Sequence, residues 1–115
     1  MSEIIPNDTY MVDYTNIDET YKYCVDKIME IKNSKYFYIG ATQYPNKRLK
    51  QHIDEKKMKT MFLLVKTFTE KQAERLEKKL IYRFNKDGKS NKSINQSGGS
   101  EGIKDGVNYI YILFY

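Results

Sequence analysis

Residues 35–42 alternate cleanly, with Phe37, Ile39 and Ala41 on one side and Tyr36, Tyr38 and Gly40 on the other. This is the two-residue period of a strand with one face in a core. Residues 9–15 are rich in aromatic and β-branched side chains behind Pro6-Asn7-Asp8, which predicts a short first strand. Between them, Asp18 is placed to cap a helix with Tyr21, Val25, Ile28 and Lys32 on one face and Cys24 and Ile31 beside it; Asn33-Ser34 ends it. Pro45-Asn46 opens a basic helix to about Lys57, in which Leu49 and Ile53 pack. Residues 61–68 form a nearly continuous apolar run, as expected of a strand covered on both faces. Thr69 and Gln72 match a Thr-x-x-Gln capping box for a helix to about Phe84. A polar, Gly- and Asn-rich connection follows over residues 86–102, and residues 109–114 read as a last strand.

The order is β-α-β-α-β-α-β. It predicts an α+β fold, an α/β sandwich whose small, mostly antiparallel sheet of three to four strands is flanked by helices. With 115 residues, of which 40% are hydrophobic, one domain with one core is expected over 1–115. Charge is unevenly placed. Residues 1–45 carry 4 basic and 7 acidic side chains, residues 46–92 carry 15 and 6, and residues 93–115 carry 1 and 2. The basic middle suits a polyanion, nucleic acid above all, and composition alone suits a solvated lysine-rich surface equally well. The single cysteine, Cys24, excludes an internal disulfide and fits a reducing compartment. No apolar run approaches 18 residues and no leader is evident, so an intracellular protein, in cytoplasm or nucleus and without membrane contact, is expected.

Candidate chemistry gathers in that basic middle. On the third helix, Ala73, Leu76, Leu80, Ile81 and Phe84 form an apolar stripe, and Glu77 lies within it. A desolvated carboxylate costs several kcal/mol unless a metal ion, an arginine or a proton compensates it. Glu74 falls on the polar side with Arg75 and Lys78. Arg48 and the sole histidine, His52, are four apart and share a face of the basic helix. Arginine offers a planar fork of donors to phosphate oxygens, and histidine moves protons near neutral pH. Gly40, lacking a Cβ, would let a phosphate approach the sheet edge, and a simple strand-end turn accounts for it equally well. Gly88-Lys89-Ser90 is no P-loop, because Arg83 stands where the upstream glycine is required. One cysteine and one histidine cannot build a structural zinc site. The eleven tyrosines serve packing more readily than base stacking.

Tyr38-Ile39-Gly40, with Arg48, His52, Glu77 within residues 73–81, and Asn95 ahead of Gly98-Gly99, resembles the GIY-YIG nuclease domain over roughly residues 36–102. No Gly-Ile-Tyr is present; the nearest counterpart is Asp8-Thr9-Tyr10, with Tyr14 and Tyr23 as alternatives. On this reading the helix at about 18–32 is an insertion between the first two strands. The resemblance implies a metal-dependent endonuclease hydrolysing DNA phosphodiester bonds in one step. Glu77 would hold one Mg²⁺ or Mn²⁺, Tyr10 would take the proton of the attacking water with help from His52 or a lysine, Arg48 would stabilise phosphoryl charge, and Tyr38 would position the phosphate. Gly40, Lys47 and Asn95 would line the substrate, Asn95 as a tie for the Gly-rich loop. With no zinc finger or helix-turn-helix present, specificity would be structural, weak, or supplied by a protein partner. The alternatives are a GIY-YIG-like module that binds nucleic acid without cutting it, and a protein-interaction module whose last strand is an open sheet edge.

Overall fold

A computed structural model describes residues 5–31, 37–56, 60–86 and 103–114. It has an α+β fold, with three helices on a four-stranded mixed sheet. The elements are β1 (Val12–Asp13), α1 (Ile17–Ile31), β2 (Phe37–Thr42), α2 (Pro45–Lys56), β3 (Thr60–Thr67), α3 (Glu70–Lys86) and β4 (Asn108–Phe114). The strand order is β1-β3-β4-β2. β1 runs parallel to β3, whereas β4 is antiparallel to both of its neighbours. The last strand is therefore interior, not the open edge that the sequence suggests.

Two local rules explain where the elements depart from expectation. β1 is only two residues long because the Asn7 Oδ1 accepts from the Thr9 amide at 2.9 Å and the Asp8 carbonyl accepts from the Met11 amide at 3.1 Å. Turn chemistry at Asn and Asp here outweighs the β propensity of Thr9 and Tyr10. α1 begins one residue before Asp18, capped by Asn16, whose Oδ1 accepts from the Glu19 amide at 2.9 Å. Asparagine caps as well as aspartate, and the earlier start lets Ile17 pack on the core. The capping box of α3 forms, with the Gln72 amide donating to Thr69 Oγ1 at 3.2 Å; the Gln72 side chain takes the Phe68 amide at 2.8 Å instead of that of Thr69.

The two faces of the sheet carry separate clusters. α1 and α3 cover one, where Phe37, Ile39, Ala41, Ile110, Ile112 and Phe114 meet Cys24, Ile28, Leu76, Leu80 and Phe84. Phe37 packs edge-on to Phe84 with centroids 5.6 Å apart. Burial pushes the Cys24 thiol up to about 12, so it serves as apolar filler. The other face carries the smaller cluster of Leu49, Met61, Leu63, Tyr111 and Leu113, with Tyr38, Ile53 and Tyr109 at its margin. A register shift between Leu63 and Val65 inserts Leu64. Leu63 therefore serves the α2 face while both Leu64 and Val65 serve the other, which explains the unbroken apolar run in the sequence.

Candidate active site

The α2 face of the sheet holds a compact polar group. β2 alternates as its sequence predicts: Phe37, Ile39 and Ala41 enter the main core, and Tyr38 joins the α2 side. On α2, Leu49 anchors the helix and His52, three residues on, is 5% exposed. The imidazole lies 4.8 Å from the Tyr38 ring, centroid to centroid, and its Nε2 is 3.3 Å from the Tyr111 hydroxyl. Tyr111 is stacked on Tyr38 with centroids 6.3 Å apart.

Gly40 is paired directly with Tyr111 across the two strands. A Cβ at Gly40 would fall on the Tyr111 hydroxyl and 2.5 Å from ring carbon Cζ. The glycine is thus needed for the tyrosine ring to lie across β2, a close approach that any other residue would block.

α3 packs on the opposite face but brings Glu77 to β2, the edge strand, at Ala41. Glu77 is 0% exposed, and neither carboxylate oxygen has a hydrogen-bond partner of good geometry. Burial pushes its carboxyl up to about 9; the nearby Ala41 backbone opposes this in part, Glu74 adds to it, and Arg48 and Lys78 act against it. Tyr111 is likewise raised above the ordinary phenol range, by burial first, then by Tyr38, with Arg48 acting the other way and Glu77 adding to the rise. Arg48 is half-buried on α2 and so shares its electrostatic environment with both groups.

Tyr38, Gly40, Arg48, His52 and Glu77 are thereby brought together. Lys47 is exposed in the first turn of α2, at the rim. Asn95 lies outside the described residues. A structural asparagine is found elsewhere: buried Asn108 takes the Lys104 amide at 3.2 Å and donates to the carbonyls of Lys104 and Gly106 at 2.7 and 3.1 Å. Gly106, at φ +103°, supplies the left-handed residue that this turn requires.

Tyr10 lies at the other side of the sheet. Its ring packs on Phe62 at 5.7 Å, Lys27 Nζ sits 4.6 Å over it, and its carbonyl accepts from the Tyr23 hydroxyl at 2.5 Å. Tyr14 and Tyr23 both pack on the α1 and α3 cluster. β3 and β4 lie between β1, which Tyr10 and Tyr14 flank, and β2, whereas Tyr23 sits on α1 with its hydroxyl on the Tyr10 carbonyl. Beside Tyr38 and His52 stands Tyr111, which sequence reasoning assigned to packing. The signal available for it was the run Tyr109-Ile110-Tyr111-Ile112, which puts two polar-tipped rings on one face and two isoleucines on the other of a buried strand.

A cradle with an orphaned buried carboxylate fits an oxygen-ligated divalent cation. Among the described residues, no three histidine, cysteine or acidic side chains converge, so such an ion would take Glu77 with water rather than a protein cage. No helix among the described residues is long and apolar enough to cross a membrane.

No curated protein and no solved structure matches the chain. The family model of the GIY-YIG catalytic domain matches residues 28–92, which span the last turn of α1, β2, α2, β3 and α3 and so include Tyr38, Gly40, Arg48, His52 and Glu77. By that match over more than half its length, the chain belongs to the GIY-YIG catalytic domain family, whose activity is of nuclease type.

Proposed function

We propose that this protein is a divalent-metal-dependent endonuclease that hydrolyses DNA phosphodiester bonds in one step, with Tyr111 rather than Tyr10 as the tyrosine of its site. The observation that carries this reading is Glu77, fully buried, with both oxygens unpartnered, in the same environment as Arg48 and the Tyr111–His52 pair. Ordinary packing supplies no reason to bury such a carboxylate, and a cation site does.

Glu77 would give up its proton to hold Mg²⁺ or Mn²⁺. When bound, that ion supplies Lewis-acid polarisation of the scissile phosphate and its leaving oxygen. Arg48 neutralises charge on the phosphoryl oxygens through its forked donors, and Lys47 at the rim adds attraction for the strand. Tyr38 positions the phosphate beside the Tyr111 hydroxyl, since the Tyr111 ring fills the space over Gly40 that the sequence offered to a phosphate.

The attacking water passes its proton to the Tyr111 oxygen while the tyrosine's own proton moves to His52 Nε2, 3.3 Å away. The upward shift of Tyr111 favours this relay over a standing phenolate, because the phenol begins and ends neutral. The new P–O bond forms as the bond to the leaving oxygen breaks, and solvent protonates that oxygen. Its specificity is for DNA structure or is supplied by a protein partner.

The test is cleavage of plasmid and branched DNA with Mg²⁺ or Mn²⁺ by wild type, Glu77→Ala, Arg48→Ala and Tyr111→Phe. Wild type should cut and each variant should lose at least ~100-fold, as removal of a transition-state donor or proton carrier does. Equal activity in all four would refute the site.

A further inference from the structure

We infer that the end of the sheet next to the site holds an unpaired strand of DNA, with Tyr44 and Phe68 as base-stacking platforms on either side of Val107. The inference rests on the nuclease reading above and specifies which form of DNA the site receives.

β2 and β3 both end, and β4 begins, at this end of the sheet. Tyr109 pairs with Thr42 on one side and Lys66 on the other, and Asn108 pairs with Thr67. One residue beyond those pairs lie Val107 and Phe68, and Tyr44 follows two residues after Thr42. Tyr44 is 63% exposed, Phe68 43% and Val107 37%. These are three of the six large hydrophobic side chains exposed among the described residues, gathered at one end of three adjacent strands. β2 and β3 are two strand spacings apart, roughly 10 Å.

The connection to the site is direct. Tyr44, Arg48 and His52 are spaced four residues apart at the start of α2, and the Arg48 amide donates to the Tyr44 carbonyl at 3.0 Å. The row runs from buried His52 through half-buried Arg48 to exposed Tyr44. A phosphate held at Arg48 therefore places its neighbouring nucleotide at Tyr44, one helical turn outward.

Charge selects the occupant. Lys47 and Lys104 are exposed nearby, and Lys66 Nζ stands 5.8 Å over the Phe68 ring. Aromatic rings interleaved with lysines are the arrangement that tracks a single strand, since every base has a stacking face and every linkage a negative charge. A paired base has both faces covered within the helix and cannot use such rings. Glu70, Glu74 and Asp105 line an adjoining hollow with Thr69 and Lys71 at the start of α3. That hollow repels a strand and leaves the lysine-bearing side as its path. The platform is held firm by Gln43 Nε2, which donates to the Asp105 carbonyl at 2.7 Å, and by Thr67 Oγ1, which donates to the Asn108 carbonyl at 3.0 Å.

The experiment compares two labelled DNAs by fluorescence anisotropy in chelator, so that nothing is cut: a short duplex with a single-stranded tail, and the same duplex with the tail base-paired. Doubly substituted Tyr44→Ala/Phe68→Ala protein should bind the tailed DNA about tenfold or more weakly and the paired DNA within about twofold of wild type. Tyr44→Phe, which keeps the ring, should bind both as wild type does. Unchanged thermal unfolding confirms that these exposed substitutions leave the fold intact. Equal weakening on both DNAs, or none on either, overturns the inference while leaving the nuclease reading in place if wild type still cuts with Mg²⁺. Wild type that neither binds nor cuts either DNA overturns both.

Discussion

The two faces of the sheet bury side chains to different ends. Under α1 and α3 the buried cluster is apolar, with tyrosines only at its margin, and the one thiol there is held protonated by burial. Under α2 the cluster is smaller, and at its margin His52, Tyr38 and Tyr111 keep polar atoms within reach of one another. Glu77 belongs to the helix of the first face yet is felt at the second. The first face spends its area on stability. Glu77, on the helix of the first face, is left unpartnered, a local cost that apolar packing does not explain.

The comparison is broken most severely by titrating Glu77. Its folded-state value of about 9 lies above the ordinary 4.5, so its protonated form favours folding. That contribution is fully present below 4.5 and is lost as pH rises toward 9, by up to ~6 kcal/mol in chelator. Urea midpoints at pH 5 and pH 9 measure this loss, and Glu77→Gln should flatten the slope; an unchanged slope would show that Glu77 is not its source. Next in size, Phe84→Ala on the apolar face should cost about 3–5 kcal/mol of stability. Where that variant remains folded, its cleavage rate should stay near that of wild type, since it touches only the other cluster.

Gly40→Ala sharpens the contrast from the other side. Its Cβ would displace the Tyr111 ring, with an overpacking cost of about 1–3 kcal/mol and a loss of cleavage comparable to that of Tyr111→Phe. Thermal unfolding and single-turnover cleavage separate the two effects. The smallest effect belongs to Tyr10→Phe. Its ring contacts with Phe62 and Lys27 survive, so both activity and stability should change little, within about 0.5 kcal/mol. A large loss of cleavage in Tyr10→Phe would return the catalytic role to that tyrosine.

Much of this was legible in the chain because it was written in local periods. The alternation around Tyr38, the α3 stripe containing Glu77, and the four-residue spacing of Arg48 and His52 each depend only on neighbours within a turn or a strand. The capping box at Thr69 formed for the same reason. What was not legible depends on strand order. No local period tells that β4 enters between β3 and β2, so nothing local marks Tyr111 as the partner of Gly40, 71 residues away by number. The short first strand offered Tyr10 in the expected chain order, whereas strand order brings Tyr111 beside Tyr38 and His52.

The interior position of β4 also governs how this molecule comes into being. β2 pairs with no described strand except β4, and β1 and β3 are joined to β2 only through it. A nascent chain that has been made only as far as α3 holds Tyr38, Arg48, His52 and Glu77 but no strand to tie β2 to the rest of the sheet. Such pairing between distant segments is slow, because the entropy of closing the chain is lost before any contact is gained. The pairing of β2 into the sheet therefore waits on residues 108–114, the last strand in chain order and the one that lies between β2 and β3.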